Sequence, residues 1–454
     1  MVVVLSLVFV ACAAAQIPYV SLVILFGFFC LQMQGRFDPV DILVIVVAAE
    51  PWLGSDRFFG FHLDRGLVVL TLASLWGAHG PAHRRFLVNR MDVTLCVFLV
   101  GCALSTVFSF MHREPVRILL DSLVIPFGYY LVAKNCVYRT DLLPKLYVGA
   151  VIAILSFGAF GLVEAMTKVD YLSFGESELD PFRINGPFRR AADFGICISL
   201  LLLYCFAMKS ARGSSPVGPR VLRLLPALGI MSCYFTLTRG IWIAFAAGWL
   251  VQAARRNLSL VLRVTPPLAV AAWIIFQFIL PQIAGEVWEK RVNNDRTINA
   301  RIATYKSALA MFVDHPLFGV GFAAFNEMVE RFPERYEKFH NGEPSVTSPH
   351  NIIMCLMSET GVIGVVTFVI FVVQAFICSF TLARHAHQDY QREYATFMIS
   401  VLVTYLVAGM GLHIIRNIDF ISKYLFIFLG IGSGMVDSCL SKRQVAGAAR
   451  GSHR

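Results

Sequence analysis

The sequence predicts an all-α polytopic membrane protein, with about 12–14 transmembrane helices and one long loop carrying short helices. Three observations carry that expectation. Of the 454 residues 57% are hydrophobic and only 15% are charged, with a mean hydropathy of +0.67; a soluble protein carries about 25% charge. Apolar runs recur from end to end, separated by short polar links. The basic residues gather in alternate links, as orientation against a membrane requires.

The elements follow in order. The opening MVVVLSLVFVACAAA has the small-residue end of a signal peptide but no basic leader, so a first transmembrane helix is expected. The spans fall near 2–15, 18–34, 40–54, 66–79, 92–110, 116–134, 145–166, 191–209, 222–237, 239–254, 260–281, 357–383, 395–412 and 418–437. Several are shorter than the ~20 residues of a straight span, so twelve is as admissible as fourteen. One set of links holds Arg84, Arg85 and Arg90; Lys134, Arg139 and Lys145; Lys209, Arg212, Arg220 and Arg223; Arg255 and Arg256; and Arg384 and Arg392. With the tail residues Lys442 and Arg443, these are expected in the cytoplasm, with both termini. The segments 167–190 and 282–356 are then outside. The division is an N-terminal helix bundle at 1–281, an outer loop at 282–356, C-terminal helices at 357–437 and a basic tail at 438–454.

The outer loop is not of low complexity. NARIATYKSALAMFVDHP places Ile302, Ala303, Leu309, Ala310 and Phe312 near helical spacing, and Pro316 stops the helix. RFPERYEKFHNGEPS reads as polar loop. The net charge of +10 is spent largely in short links, which argues against a nucleic-acid partner. The eleven cysteines lie mostly in apolar runs and read as small apolar residues.

A few polar residues stand out. Arg239 sits between two apolar runs in FTLTRGIWIAF, where an arginine faces a cavity or partner or snorkels to lipid phosphate. Arg301 lies on the amphipathic loop helix and is either a solvated cation or an anion ligand. His350 and Asn351 open the apolar run PHNIIMCLMSETGVIG, where capping is the ordinary role. Glu359 is either a buried partner for a cation or the mark of a helix that begins later. PFRINGPFRRAADF adds Arg183, Arg189, Arg190 and Asp193, and a tight link adds His413 and Arg416. All fall on one expected face. Basic groups gathered there suit an anionic ligand at the lipid boundary, since arginine binds phosphate in bidentate fashion. No phosphate-binding Gly-rich loop, serine-hydrolase elbow or HExxH occurs. Asp56 and Asp64 stand beside Arg57 and Arg65, so no metal site is expected.

TLTRG around Arg239, RIATYKSALAMFVDHPLFGVGFAAF from Arg301, and PHNIIMCLMSETGVIG from Pro349 occur in this order between late spans. In these blocks, across 230–365, the chain resembles the O-antigen ligase and polymerase superfamily of bacterial envelope enzymes. It departs from the family at Tyr305, where tryptophan is commoner, and at Arg189-Arg190-Ala191 after the Gly186 element, where Asn-Pro-Asn is usual. The resemblance implies a multi-pass protein of the bacterial inner membrane with its active site on the periplasmic face. It implies transfer of a glycan from undecaprenyl pyrophosphate to an acceptor hydroxyl on lipid A-core, glycan or protein, by a metal-independent inverting enzyme that uses no cofactor. Arg239 and Arg301 would hold the pyrophosphate, and His350 would serve the acceptor hydroxyl. Arg183, Arg189, Arg190, Tyr305, Asn351 and Arg416 are further binding candidates. A polymerase is the alternative to a ligase. A flippase for the same lipid is a weaker alternative, because the polar groups collect on one face rather than through the midplane.

Overall fold

A computed structural model describes residues 38–53, 65–69, 71–72, 88–108, 113–167, 184–188, 190–210, 217–274, 295–333, 335, 339–340, 343–344, 349–412, 414 and 419–451. The expected spans at 2–15 and 18–34 and most of 66–79 lie outside them. The elements are α1 (Pro39–Leu53), α2 (Arg90–Val107), α3 (Arg113–Leu119), a π-helical turn (Leu120–Val124), α4 (Ile125–Asn135), α5 (Leu142–Thr167), α6 (Ala191–Ser210) and α7 (Pro219–Phe235). There follow α8 (Arg239–Ile274), α9 (Asp295–Asp314), α10 (Phe325–Arg331), β1 (Phe339–His340), β2 (Glu343–Pro344), α11 (Ile352–His385), α12 (Asp389–Gly409) and α13 (Asp419–Gly451). Among the described residues, six helical stretches are long and apolar enough to cross a membrane. The chain is an all-α polytopic membrane protein.

Packing fixes which helix ends meet. α2 runs against α11: Phe98 stacks on Phe371 with centroids 6.0 Å apart, and Ser105 donates to the Glu359 carbonyl at 2.6 Å. The other end of α2 is tied down by a polar knot. Asn89 caps the helix and bonds Ser433 and Asp437 of α13. Lys134 of α4 lies 2.5 Å from Asp92 and 3.1 Å from Asp437, and the Tyr130 hydroxyl donates to Asp92. Arg139 pairs with Asp38, Lys145 with Asp41, and Arg256 donates to the Phe206 carbonyl at this same end. Lys134, Arg139, Lys145 and Arg256, basic residues of three expected links, thus share one end of the bundle. A second pair, Glu50 of α1 with Lys423 of α13, is fully enclosed at 0% and 1% exposure.

The expected spans 239–254 and 260–281 correspond, as far as residue 274, to two helical limbs that meet at Asn257, whose side chain accepts from the Leu260 amide and caps the second limb. Two local readings are corrected. In the loop helix α9 the buried face is Ala303, Thr304, Ser307, Ala308 and Met311, while Ile302 and Leu309 are exposed. The face turned because small hydroxyl side chains can be buried in a helix: Thr304 returns its hydroxyl to the Ala300 carbonyl at 2.9 Å. The segment read as plain polar loop contains the antiparallel β1–β2 pair, Phe339 opposite Pro344. Its linker, Asn341-Gly342, is a strong two-residue hairpin signal that polarity alone conceals.

Candidate active site

The apolar run after Pro349 is helical from Ile352, with Asn351 as its cap. The Asn351 carboxamide oxygen accepts from the Ile353 and Met354 amides at 2.9 and 3.2 Å, satisfying two of the donors that a helix start leaves open. His350 is the residue just before this cap. The helix does not continue smoothly into the membrane. Gly361, at φ 63° and ψ −160°, divides α11 into a short limb, 352–360, and a long one, 362–385. The long limb rises roughly 36 Å at about 1.5 Å per residue and spans a bilayer by itself. His350 therefore precedes a separate short limb, and the long limb begins beyond Gly361.

The break is filled by the chain that leaves α9. A continuous helix would bond the Val362 and Ile363 amides to the Ser358 and Glu359 carbonyls. Instead those amides donate to Pro316 and Leu317 at 2.8 and 3.3 Å, and the two carbonyls accept from Val320 and Gly321 at 2.9 and 3.0 Å. The Glu359 carboxylate accepts from the Ala323 amide at 3.0 Å. Gly319 (φ 66°) lies against the Glu359–Thr360 backbone and Gly361 against the Pro316–Leu317 backbone, where any Cβ would overlap the opposing chain.

The Gly-x-Phe element forms a turn at the start of α6. Glu164 of α5 accepts the Asn185 and Gly186 amides at 3.1 and 2.7 Å. Gly186 has φ 58° and lies against the Phe194 ring, while Phe188 packs edge-on to Phe157. This delivers Arg190 to the first turn of α6, its carbonyl accepting from Asp193 and Phe194. The TLTRG turn does the same for α8: Leu237 takes φ 48°, and Arg239 emerges exposed at the helix start.

These starts converge. Gly195 of α6 lies against Ile241 of α8. Gly240 faces Leu412 just beyond α12, Asn351 donates to Met410 there at 3.5 Å, and Gly409 packs on Ile352. The N-terminal ends of α6, α8 and α11 thus share one end of the bundle, opposite the Lys134 knot. Helix N-termini carry partial positive charge and suit anions. Arg301 and the half-buried Tyr305 come to this end on α9, which packs on α11. Among the described residues no carboxylate pairs with Arg190 or Arg301. His350 records the setting: burial, then the charges of Arg301 and Arg190, hold its imidazole down at about 4. At neutral pH it is an uncharged proton acceptor among cations.

Residues 224–369 match the family model described as O-antigen ligase. Over that segment the chain is similar to the O-antigen ligase family. No curated protein matches the chain. The O-antigen ligase match covers α8, α9, the filled break and the head of α11, hence Arg239, Arg301 and His350; Arg190 lies outside it. A family of this kind suggests glycosyl transfer in general, with a lipid-linked glycan and an acceptor as substrates.

Of the sequence-derived candidates, the fold brings Arg190, Arg301, His350 and Asn351 together and sets Arg239 beside the same 409–412 turn. Tyr305 rides on the Arg301 helix. Arg183, Arg189, His413 and Arg416 lie outside the described residues, as do Asp56 and Asp64. Sequence reasoning missed Glu164, Ser105 and the Glu50–Lys423 pair. The acids and Lys423 stand within or at the ends of apolar runs, which was a signal to pursue.

Proposed function

We propose that the protein transfers a glycan from undecaprenyl pyrophosphate to an acceptor hydroxyl at the periplasmic face of the inner membrane, acting as an O-antigen ligase. The observation that carries this reading is a neutral His350 flanked by the Arg301 and Arg190 guanidiniums where three helices begin. Arg301, Arg190 and Arg239 hold the pyrophosphate, with permanent charge and planar donors in place of a metal. His350 accepts the acceptor's proton as its oxygen attacks the anomeric carbon. The carbon–oxygen bond to pyrophosphate breaks, its electron pair leaves with the phosphate, and the cations stabilise the growing charge. A single in-line displacement inverts the anomeric centre. Asn351 orients the head of α11, and Tyr305 offers the sugar an aromatic face.

The test is donor turnover by purified enzyme in liposomes. Arg301→Ala should abolish transfer, and Arg301→Lys should remain badly impaired because it loses the bidentate fork. His350→Gln should lose on the order of 10²- to 10⁴-fold. Transfer should persist in excess EDTA; loss that magnesium or manganese restores would refute the metal-free reading. In cells, a null strain that accumulates lipid-linked polymer confirms a ligase, whereas a ladder reduced to single repeats identifies a polymerase.

A further inference from the structure

We propose that the junction between residues 315–323 and the break in α11 is a rigid joint that sets Arg301 against His350, with Gly319, Glu359 and Gly361 as its positioning residues. Its bearing on catalysis rests on the glycosyl-transfer reading above. The two functional candidates sit on two arms. Arg301 rides on α9, whose chain runs directly into 315–323. His350 precedes the short limb 352–360, whose far end is the break. The arms meet at one place.

The joint is rigid because it is made of backbone. Two helical bonds given up at the break are replaced by four to the inserted chain, at 2.8, 2.9, 3.0 and 3.3 Å. The chain enters the gap only because Gly319 and Gly361 lack a Cβ and hold φ of 66° and 63°. Glu359 adds a side-chain bond to the Ala323 amide, a residue itself at φ 65°. Ser105 of α2 donates to the Glu359 carbonyl at 2.6 Å and anchors the joint to the bundle. A short limb of this kind does not hold its direction alone, since isolated helices of that length are unstable. Packing of 315–323 supplies what propensity cannot, and a small separate core of Ala308, Met311, Val320, Ala324, Phe325, Met328 and Val329 stiffens the α9 arm.

The experiment reads the geometry at His350 without needing turnover. Diethylpyrocarbonate acylates neutral imidazole, and mass spectrometry of the His350 peptide follows that reaction against pH. Among the described residues the charged groups facing the ring are Arg301 from α9 and Arg190 from the start of α6, and of these two Arg301 is carried by the joint. In the wild type His350 should react down to about pH 5. In Gly319→Ala and Glu359→Ala the midpoint should move toward the ordinary value of about 6.5. Adding Arg301→Gln to Gly319→Ala should move it no further, because the contact is already lost. Transfer should fall on the order of 10²-fold in both single variants, and Glu359→Gln, which keeps an acceptor oxygen, should largely restore it. If Gly319→Ala is not recovered folded, Glu359→Ala decides, since it leaves the backbone unstrained. An unchanged midpoint in a folded variant overturns the joint. A wild type that transfers no glycan overturns the functional reading instead, while the midpoint still tests the joint.

Discussion

At the scale of single residues, the charge state of His350 is the most informative quantity. Burial and two guanidiniums lower its pKa, to about 4, so the folded protein takes up that proton only as pH falls through this value. A base that is already neutral at pH 7 gains nothing from alkali. The pH dependence of kcat/KM reports the free enzyme and should be flat from about 7.5 to 5.5. Arg190→Gln or Arg301→Gln should raise the acid limb toward about 6.5 in whatever activity remains. The profile of kcat should turn at higher pH than that of kcat/KM, because bound pyrophosphate offsets the cations. An acid limb near 6.5 in the wild-type kcat/KM would place His350 outside this cationic setting. Arg301 and His350 were legible as candidates because TYKSALAMFVDHPLFGVG and PHN surround them. The setting was not, because Arg190 lies far from both in sequence and only the turn held by Glu164 brings it in.

At the scale of elements, helix existence was legible and helix continuity was not. Apolar composition located α2, α5, α6 and α13, since spanning a bilayer demands long apolar runs. Composition is blind to a break whose hydrogen bonds are supplied by a remote segment, and so the start of α11 was placed too late. The same blindness hid the phase of α9, where Thr304 and Ser307 are buried and Ile302 is not. The cap of α11 gives a direct check. Asn351→Ala should cost about 1 kcal/mol, seen as a lower thermal midpoint in detergent, whereas Asn351→Asp should keep the wild-type value. Equal midpoints for Ala and wild type would show that the Met354 and Ile353 amides find other partners.

At the scale of the whole molecule, the basic groups around Lys134, Arg139, Lys145 and Arg256 and the candidate site occupy opposite ends of the bundle. Link charges lead to the expectation that the basic end faces the cytoplasm, by a rule of membrane insertion. The end that carries the site is tested with cysteines at exposed positions on α10 and in the α11–α12 link. An impermeant thiol reagent applied to intact cells should label Glu330→Cys and leave His387→Cys unlabelled. The reverse pattern would place Arg301 and His350 in the cytoplasm, away from a flipped donor. At the other end, Lys134 is nearly enclosed between Asp92 and Asp437. Lys134→Met should destabilise the bundle by about 3–5 kcal/mol, since it leaves carboxylates buried without their cation.

The enclosed Glu50–Lys423 pair has a consequence for biogenesis. Its partners are separated by 373 positions, so Glu50 is synthesised long before the ammonium that neutralises it. Until α13 arrives, α1 carries a carboxylate whose insertion is opposed by about 2.5–3.5 kcal/mol on translocon scales, the range for an aspartate at a helix centre. The nascent chain is therefore incomplete in a chemical sense until α13 docks, and a ribosome-released fragment ending before α13 should be cleared by membrane proteases. Glu50→Leu should lengthen the half-life of that fragment in pulse-chase labelling, while leaving the fragment inactive.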